Sequence, residues 1–248
     1  GAITVTGTTE EITNAWVTSS KLVVASNESA AVKFVGDNPT GAQLALINPK
    51  VSGTITLANN AQTFGGTAAQ MKAAFTGGLA GTQTGAVTIS DTEGTIAATT
   101  LTDITGQTNG TVTAAAAGIT ISGNTTDLTA ALVTTETNAV VANGKVTITD
   151  TGNVAATVLS AIGNSTGGTV TATGALTITG TTEEITNALV TSSKLVVASN
   201  ESAAVTFDGD DPTGAQLALI NPKVSGTITL NNNAQVFTGT ADQMKAAF

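Results

Sequence analysis

Apolar residues follow two alternating rhythms along this chain. In the first they recur four, seven and eight positions after a residue able to cap a helix. Thr8 is followed by Ile12, Ala15 and Trp16, Thr67 by Met71, Ala74 and Phe75, and Asn124 by Leu128, Ala131 and Leu132. Thr151 leads into Ala155, Val158, Leu159 and Ile162, and Glu93 into Ala97, Thr100, Leu101 and Ile104, with Asp91 or Thr92 as its cap. Thr40 precedes Leu44 and Ile47 before Asn48-Pro49 stops the run. Each pattern predicts one apolar stripe of a short α-helix. Thr8 with Glu11, Thr40 with Gln43 and Thr67 with Gln70 are Thr-x-x-Glu/Gln capping boxes, in which hydroxyl and acid or amide satisfy free backbone groups reciprocally.

The second rhythm has period two. Ile3-Thr-Val5, Val32-Lys-Phe34, Val87-Thr-Ile89, Ile119-Thr-Ile121, Val146-Thr-Ile148 and Leu176-Thr-Ile178 precede helices. Leu22-Val-Val24, Thr54-Ile-Thr56, Thr111-Val-Thr113, Val140-Val141 and Thr169-Val-Thr171 follow them. β-Branched alternation bounded by Gly and Asn predicts strands. Gly77–Gly85 is the one stretch after a helix without a clear strand.

A long repeat overlies both rhythms. Residues 1–75 recur as 174–248, and only ten of the 75 paired positions differ, among them Trp16/Leu189, Lys33/Thr206 and Val35/Asp208. No linker separates the copies, so 1–173 is expected to be one full repeat and 174–248 the first part of the next in a continuous body. The chain reads as a window on a longer tandem array. Helix starts at 8, 40, 67, 93, 124, 151 and 181 divide the 173-residue period into six units, each of about 29 residues, a solenoid-like length. A strand–helix–strand unit this small cannot bury its apolar face alone, and stacking does so continuously. The expected fold is therefore α/β, a right-handed solenoid of strand–short helix–strand coils with parallel sheets along its axis. An all-β parallel β-helix is the alternative. At about 4.8 Å per coil, one period would advance roughly 29 Å.

Composition narrows the chemistry. The 248 residues include 51 Thr, 40 Ala and 27 Gly, but no Cys, His, Tyr or Arg. Without His or Cys the usual zinc, haem and iron–sulfur ligand sets and the His-dependent nucleophile systems are excluded. A net charge of −9 carried without Arg argues against a nucleic-acid surface. The longest apolar runs are too short to span a membrane. No enzyme activity is expected.

The remaining candidates are few. Asp208, Asp210 and Asp211 cluster in Asp208-Gly-Asp-Asp-Pro212, the oxygen-rich kind of turn that calcium takes, whereas the first copy reads Val35-Gly-Asp-Asn-Pro39. Calcium is thus the only cofactor in view. Asp91 and Asp150 follow strands, and Glu10-Glu11 and Glu183-Glu184 begin helices, all places where acids cap helices and complement their dipoles. Thr4/Thr6, Thr54/Thr56, Thr111/Thr113, Thr147/Thr149, Thr169/Thr171 and Thr177/Thr179 put paired hydroxyls on one strand face. Such arrays resemble those of β-solenoid ice-binding proteins. Gly163–Gly168 and Gly77-Gly78 match no phosphate loop and read as turns. Asn27, Asn109, Asn124, Asn164 and Asn200 head glycosylation sequons.

The stretch VTITDTGNVAATVLSAIGNSTGGTVTATGALTITG, residues 146–180, resembles repeat regions of very large secreted bacterial surface proteins. These are adhesin-like chains of cyanobacteria and proteobacteria, often exported by type I secretion. The resemblance implies an extracellular, structural or adhesive role on the cell surface. It implies further repeats or other copies as partners, and possible contact with surface polysaccharide. The nonapeptide calcium repeat G-G-x-G-x-D-x-U-x carried by many such proteins does not occur here.

Overall fold

A computed structural model describes residues 3–19, 30–134, 138–191, 194–197, 202–232 and 234–248. In chain order the elements are β1 (Ile3–Gly7), α1 (Thr9–Thr13), β2 (Ala30–Phe34), α2 (Gly41–Ile47), β3 (Ile55–Thr56), β4 (Phe64–Gly66), α3 (Ala68–Phe75), β5 (Val87–Ile89) and β6 (Glu93–Ala97). There follow α4 (Ala98–Thr105), β7 (Val112–Thr113), β8 (Gly118–Gly123), α5 (Thr125–Leu132), β9 (Ala139–Val140), β10 (Lys145–Ile148), β11 (Gly152–Ala155) and α6 (Ala156–Asn164). The last are β12 (Val170–Ala172), β13 (Leu176–Gly180), α7 (Thr182–Thr186), β14 (Leu195–Val197), β15 (Ala204–Phe207), α8 (Gly214–Ile220), β16 (Ile228–Thr229) and α9 (Ala241–Ala247). The chain is mixed α/β with several parallel sheets. The strand expected at Leu22–Val24 lies outside the described residues.

Helices start where the capping chemistry places them. The expected boxes form at Thr8, Thr40 and Thr67, and their counterparts in the second copy form at Thr181, Thr213 and Thr240. At α1 the Thr8 N–H donates to Glu11 Oε2 at 2.8 Å and the Glu11 N–H donates to Thr8 Oγ1 at 3.3 Å. Asn124 caps α5 by accepting from the Asp127 N–H at 2.8 Å. Such a cap contributes about 1 kcal/mol, enough to matter in helices this short. Both α1 and α7 continue into a π-helical turn, Asn14–Thr18 and Asn187–Thr191. Because Trp16 stands in one and Leu189 in the other, residues common to the copies set that turn.

Two helix starts differ from expectation. Glu93–Ala97 and Gly152–Ala155, read as first helical turns, are strands β6 and β11, and α4 and α6 begin after them. Gly94 and Gly152 have φ of +98° and +89°, which breaks any helix at that point. Beyond each glycine the chain alternates, with Ile96 and Val154 buried and their neighbours exposed.

All strand pairing between named strands is parallel, in four sheets: β1-β2-β3, β4-β5-β7-β9, β6-β8-β10-β12-β14 and β11-β13-β15-β16. Apolar residues align in inward rows, such as Ile96, Ile121, Val146 and Val170. Partners lie between 23 residues apart (Phe64 with Val87) and 27 apart (Val5 with Val32). Most of these ladder steps are shorter than the spacing of helix starts, which are 26–32 residues apart. Helices and ladders are therefore out of phase, and β6 and β11 occupy the positions where the phase slips.

Contacts divide the chain into two compact units. One comprises Gly1–Thr92, Thr99–Ala115 and Thr135–Val140 and holds sheets β1-β2-β3 and β4-β5-β7-β9. Its core includes Phe34, Leu44, Ile47 and Met71, and Phe64 meets Phe75 edge-on at 5.2 Å. The other comprises Glu93–Ala98, Ala116–Thr134 and Val141–Phe248 and holds the remaining two sheets. Ile119, Ile121, Leu128, Ile148, Ile162 and Ile178 are fully buried within it. The boundary between sequence repeats, at 173/174, falls inside this second unit.

Candidate functional site

The acids singled out in the sequence tie successive segments together. Asp91 accepts from the Ala68 N–H at 2.6 Å, and Asp150 accepts from the Thr125 N–H at 2.6 Å and its hydroxyl at 2.9 Å. Asp37 accepts from the Thr9 N–H at 3.2 Å. Each carboxylate follows a strand and reaches back to the first turn of the helix one ladder step earlier. The capping expected of Asp91 and Asp150 is present, but it serves the preceding helix rather than the following one. Glu11 and Glu184 act within their own boxes, accepting from Thr8 and Thr181.

Asp208, Asp210 and Asp211 perform three separate tasks. The Asp208 N–H donates to the Gly180 carbonyl at 2.8 Å. The Asp210 carbonyl accepts from the Thr182 hydroxyl at 2.7 Å. The Asp211 carboxylate accepts from the N–H groups of Asn231 and Asn232 at 2.6 and 2.7 Å. In the first copy Asn38 makes the same connection, its Oδ1 accepting from Ala58 and Asn59 at 2.6 and 3.2 Å. An amide thus replaces the carboxylate because the task needs an acceptor, not a charge. Among the described residues no three acids stand together as metal ligands. Asp211→Asn is expected to leave the unfolding free energy measured in urea within about 0.5 kcal/mol of wild type, equally with and without millimolar calcium. A calcium-dependent midpoint that the substitution abolishes would assign the turn to the metal instead.

Neutral side chains make similar ties. Asn48, 3% exposed, donates from Nδ2 to the carbonyls of Ala73, Ala74 and Thr76 at 3.1, 2.9 and 2.7 Å, closing the C-terminus of α3. Buried Thr108 donates to the Gly85 carbonyl at 2.8 Å and accepts from the Gly110 N–H at 2.9 Å. Thr166 repeats this with Gly144 and Gly168. In the sequence Asn48 reads only as part of the Asn48-Pro49 helix stop and Thr166 only as part of the Gly163–Gly168 turn, and Thr108 stands out in no pattern. Thr-x-Gly at both threonines was the available signal, but it is common in a chain so rich in both residues.

The threonine rows are short. Thr179, Thr206 and Thr229 align, and so do Thr147 and Thr171. Elsewhere Lys33 stands between Thr6 and Thr56, Lys145 follows Thr95 and Thr120, and Val140 follows Thr88 and Thr113. A cleft of about 430 Å³ is lined by Lys72, Phe75, Thr102 and Asp103, and Lys72 and Asp103 form an ion pair at 2.8 Å. Both partners are substantially exposed, so that pair contributes little.

No family model matches the chain, and no curated protein does. Function must therefore be argued from the geometry, in which the polar groups outside the core mainly join one segment to the next. Of the sequons, Asn124 has both ends of its amide engaged, with Asp127. Asn109 and Asn164 are exposed, and Asn27 and Asn200 lie outside the described residues.

Proposed function

We propose that this chain is a structural repeat segment of an extracellular bacterial surface fibre, sheath or adhesin stalk. It acts as a stiff right-handed solenoid rod whose length is set by tandem copies. The observation that carries the reading is the uniform parallel pairing of segments 23–27 residues apart. It is joined by side chains such as Asp91, Asp150 and Asn48 that connect each segment to the next. With 65 of 75 positions identical between copies, one repeat can follow another without a change of design. Such a role needs shape and cohesion, not a reacting group, and its partners are further repeats or other copies of itself. The acidic charge favours solubility and spacing between rods.

The ladder step sharpens the axial estimate. At about 25 residues per step and about 4.8 Å per step, a 173-residue period advances roughly 33 Å. Electron micrographs of the native material are expected to show fibres with that axial period. Globular particles without a period would overturn the reading. A second reading, a binding face for ice or surface polysaccharide, draws on the row Thr179, Thr206, Thr229. Thermal hysteresis, or glycan capture lost on mutation of that row, would favour it.

A further inference from the structure

The end of α3 is closed by a side chain, and the end of α4 is closed differently. At α3 the buried Asn48 amide takes up the carbonyls of Ala73, Ala74 and Thr76. After α4 the N–H groups of Gly106, Gln107 and Thr108 turn back to the carbonyls of Thr102, Ile104 and Thr105 at 2.9, 3.1 and 3.4 Å, passing over that of Asp103. The cleft of about 430 Å³ is lined from both ends, by Lys72 and Phe75 of α3 with Thr76 beyond them, and by Asp103 of α4 with Gln107 beyond it. Every residue of its lining belongs to the first compact unit. Its volume lies within the roughly 300–1,000 Å³ of small-molecule sites. The Thr76 hydroxyl and the Gln107 side-chain amide form no hydrogen bond among the described residues. Phe75 is only 1% exposed, so the cleft offers a ligand little aromatic surface. Polar side chains elsewhere are spent on joining segments, whereas these are uncommitted.

We propose that this cleft binds a single sugar residue through two neighbouring hydroxyls, one donating to Asp103 and the other accepting from Lys72. The chemistry of the lining selects that class. Lys72 and Asp103 are its two ionisable residues, and they neutralise each other at 2.8 Å. A charged ligand would have to break the pair, whereas a neutral one can share it. The carboxylate only accepts and the ammonium only donates, but a hydroxyl does both. Hydroxyls on adjacent carbons therefore answer the two partners at once. The Asp103 carbonyl is a further acceptor at that end, and the Thr76 hydroxyl and Gln107 amide each accept and donate. The α3 side of the cleft is preorganised, because Asn48 fixes the carbonyls of the last turn, so little ordering opposes binding. An exposed pair that contributes little to folding is also free to serve a ligand. The site goes beyond the rod reading and does not depend on it.

The test is titration of the 248-residue chain, labelled for amide NMR, with glucose, galactose, mannose and N-acetylglucosamine, each as the free sugar and as its methyl glycoside. At least one is expected to bind in the millimolar range, as suits a ligand of this size, and to shift the amide signals of Thr76, Asp103 and Gln107. Equal binding of the methyl glycoside marks the end of a glycan chain as the ligand. Binding by the free sugar alone marks a soluble monosaccharide, and either result supports the site. Asp103→Ala should weaken binding about tenfold, the equivalent of one lost hydrogen bond to a charged group, with circular dichroism as in wild type. Asp103→Asn keeps an acceptor and should weaken it less. Glu10→Ala, an exposed acid outside the lining, should leave affinity unchanged. No shift at Thr76, Asp103 or Gln107 with any of these sugars at tens of millimolar would overturn the proposal. So would binding that Asp103→Ala leaves intact.

Discussion

Replacing Asn48 by leucine is expected to destabilise the unit that holds it by about 3 kcal/mol, whereas Asn221→Leu should cost about 1 kcal/mol or less. The two asparagines occupy the same place in the two copies and begin the same 3-10 turn, Asn48–Lys50 and Asn221–Lys223. What differs is the reach of the amide. Asn48 shares its two amide hydrogens among three carbonyls at the end of α3, groups that no helix satisfies internally. Leucine is of similar size but cannot donate, so those carbonyls would stay desolvated and unpaired. Asn221 is less buried and, among the described residues, donates to the Ala246 carbonyl at 3.1 Å, where water can take its place. Urea unfolding of both variants, with hydrogen exchange at α3, measures the difference. Equal losses would show that the amide serves its own turn and not the neighbouring helix.

That contrast marks the limit of what the sequence discloses. Period-two alternation located β1, β2, β5, β8, β10 and β13, and the Thr-x-x-Glu/Gln boxes located α1, α2 and α3, because both signals arise from neighbours a few residues apart. The ties between segments were less legible. Asp91 precedes α4 in sequence, and a local reading assigns it to that helix, yet its carboxylate binds Ala68, 23 residues upstream. Nothing within a turn of Asp91 encodes that distance. Asp211 and Asn38 show the complementary difficulty. As residue types they differ in charge and suggest a metal in one copy and none in the other. Only the backbone groups they meet reveal a shared task.

Helix starts are the most conspicuous local feature, and in the sequence they recur every 26–32 residues. Strand pairing keeps a spacing of its own, and Phe64 with Val87 or Val205 with Ile228 stand 23 apart. Where the two spacings disagree, the chain accommodates the mismatch by extending Glu93–Ala97 and Gly152–Ala155 as strands before the helix begins. Gly94, second in its strand, and Gly152, first in its own, have φ of +98° and +89°, and they matter as breaks in a helix rather than as turns.

Gly85→Ala is expected to destabilise its unit by about 3 kcal/mol, lowering the thermal midpoint by roughly 6–12 °C. A Cβ built on Gly85 would penetrate the backbone carbonyl of Gln62, a group with no rotamer through which to escape. The contact recurs one step on, where a Cβ on Gly110 would meet the carbonyl of Gly85 itself. Gly85 cannot withdraw without disturbing its own partners, because the same carbonyl accepts from the Thr108 hydroxyl at 2.8 Å. Segments at this corner are thus held at glycine distance from both sides, and one methyl group must separate them or break the Thr108 tie. Gly65→Ala supplies the control. It also lies beside the next ladder, but its nearest neighbour would be the Thr88 carbonyl at 4.0 Å, an ordinary contact. That substitution should change stability by no more than about 0.5 kcal/mol. Thermal unfolding of the two variants side by side decides the matter. Equal tolerance would mean that backbone spacing at this corner is looser than glycine requires, and that Gly85 is kept for its turn alone.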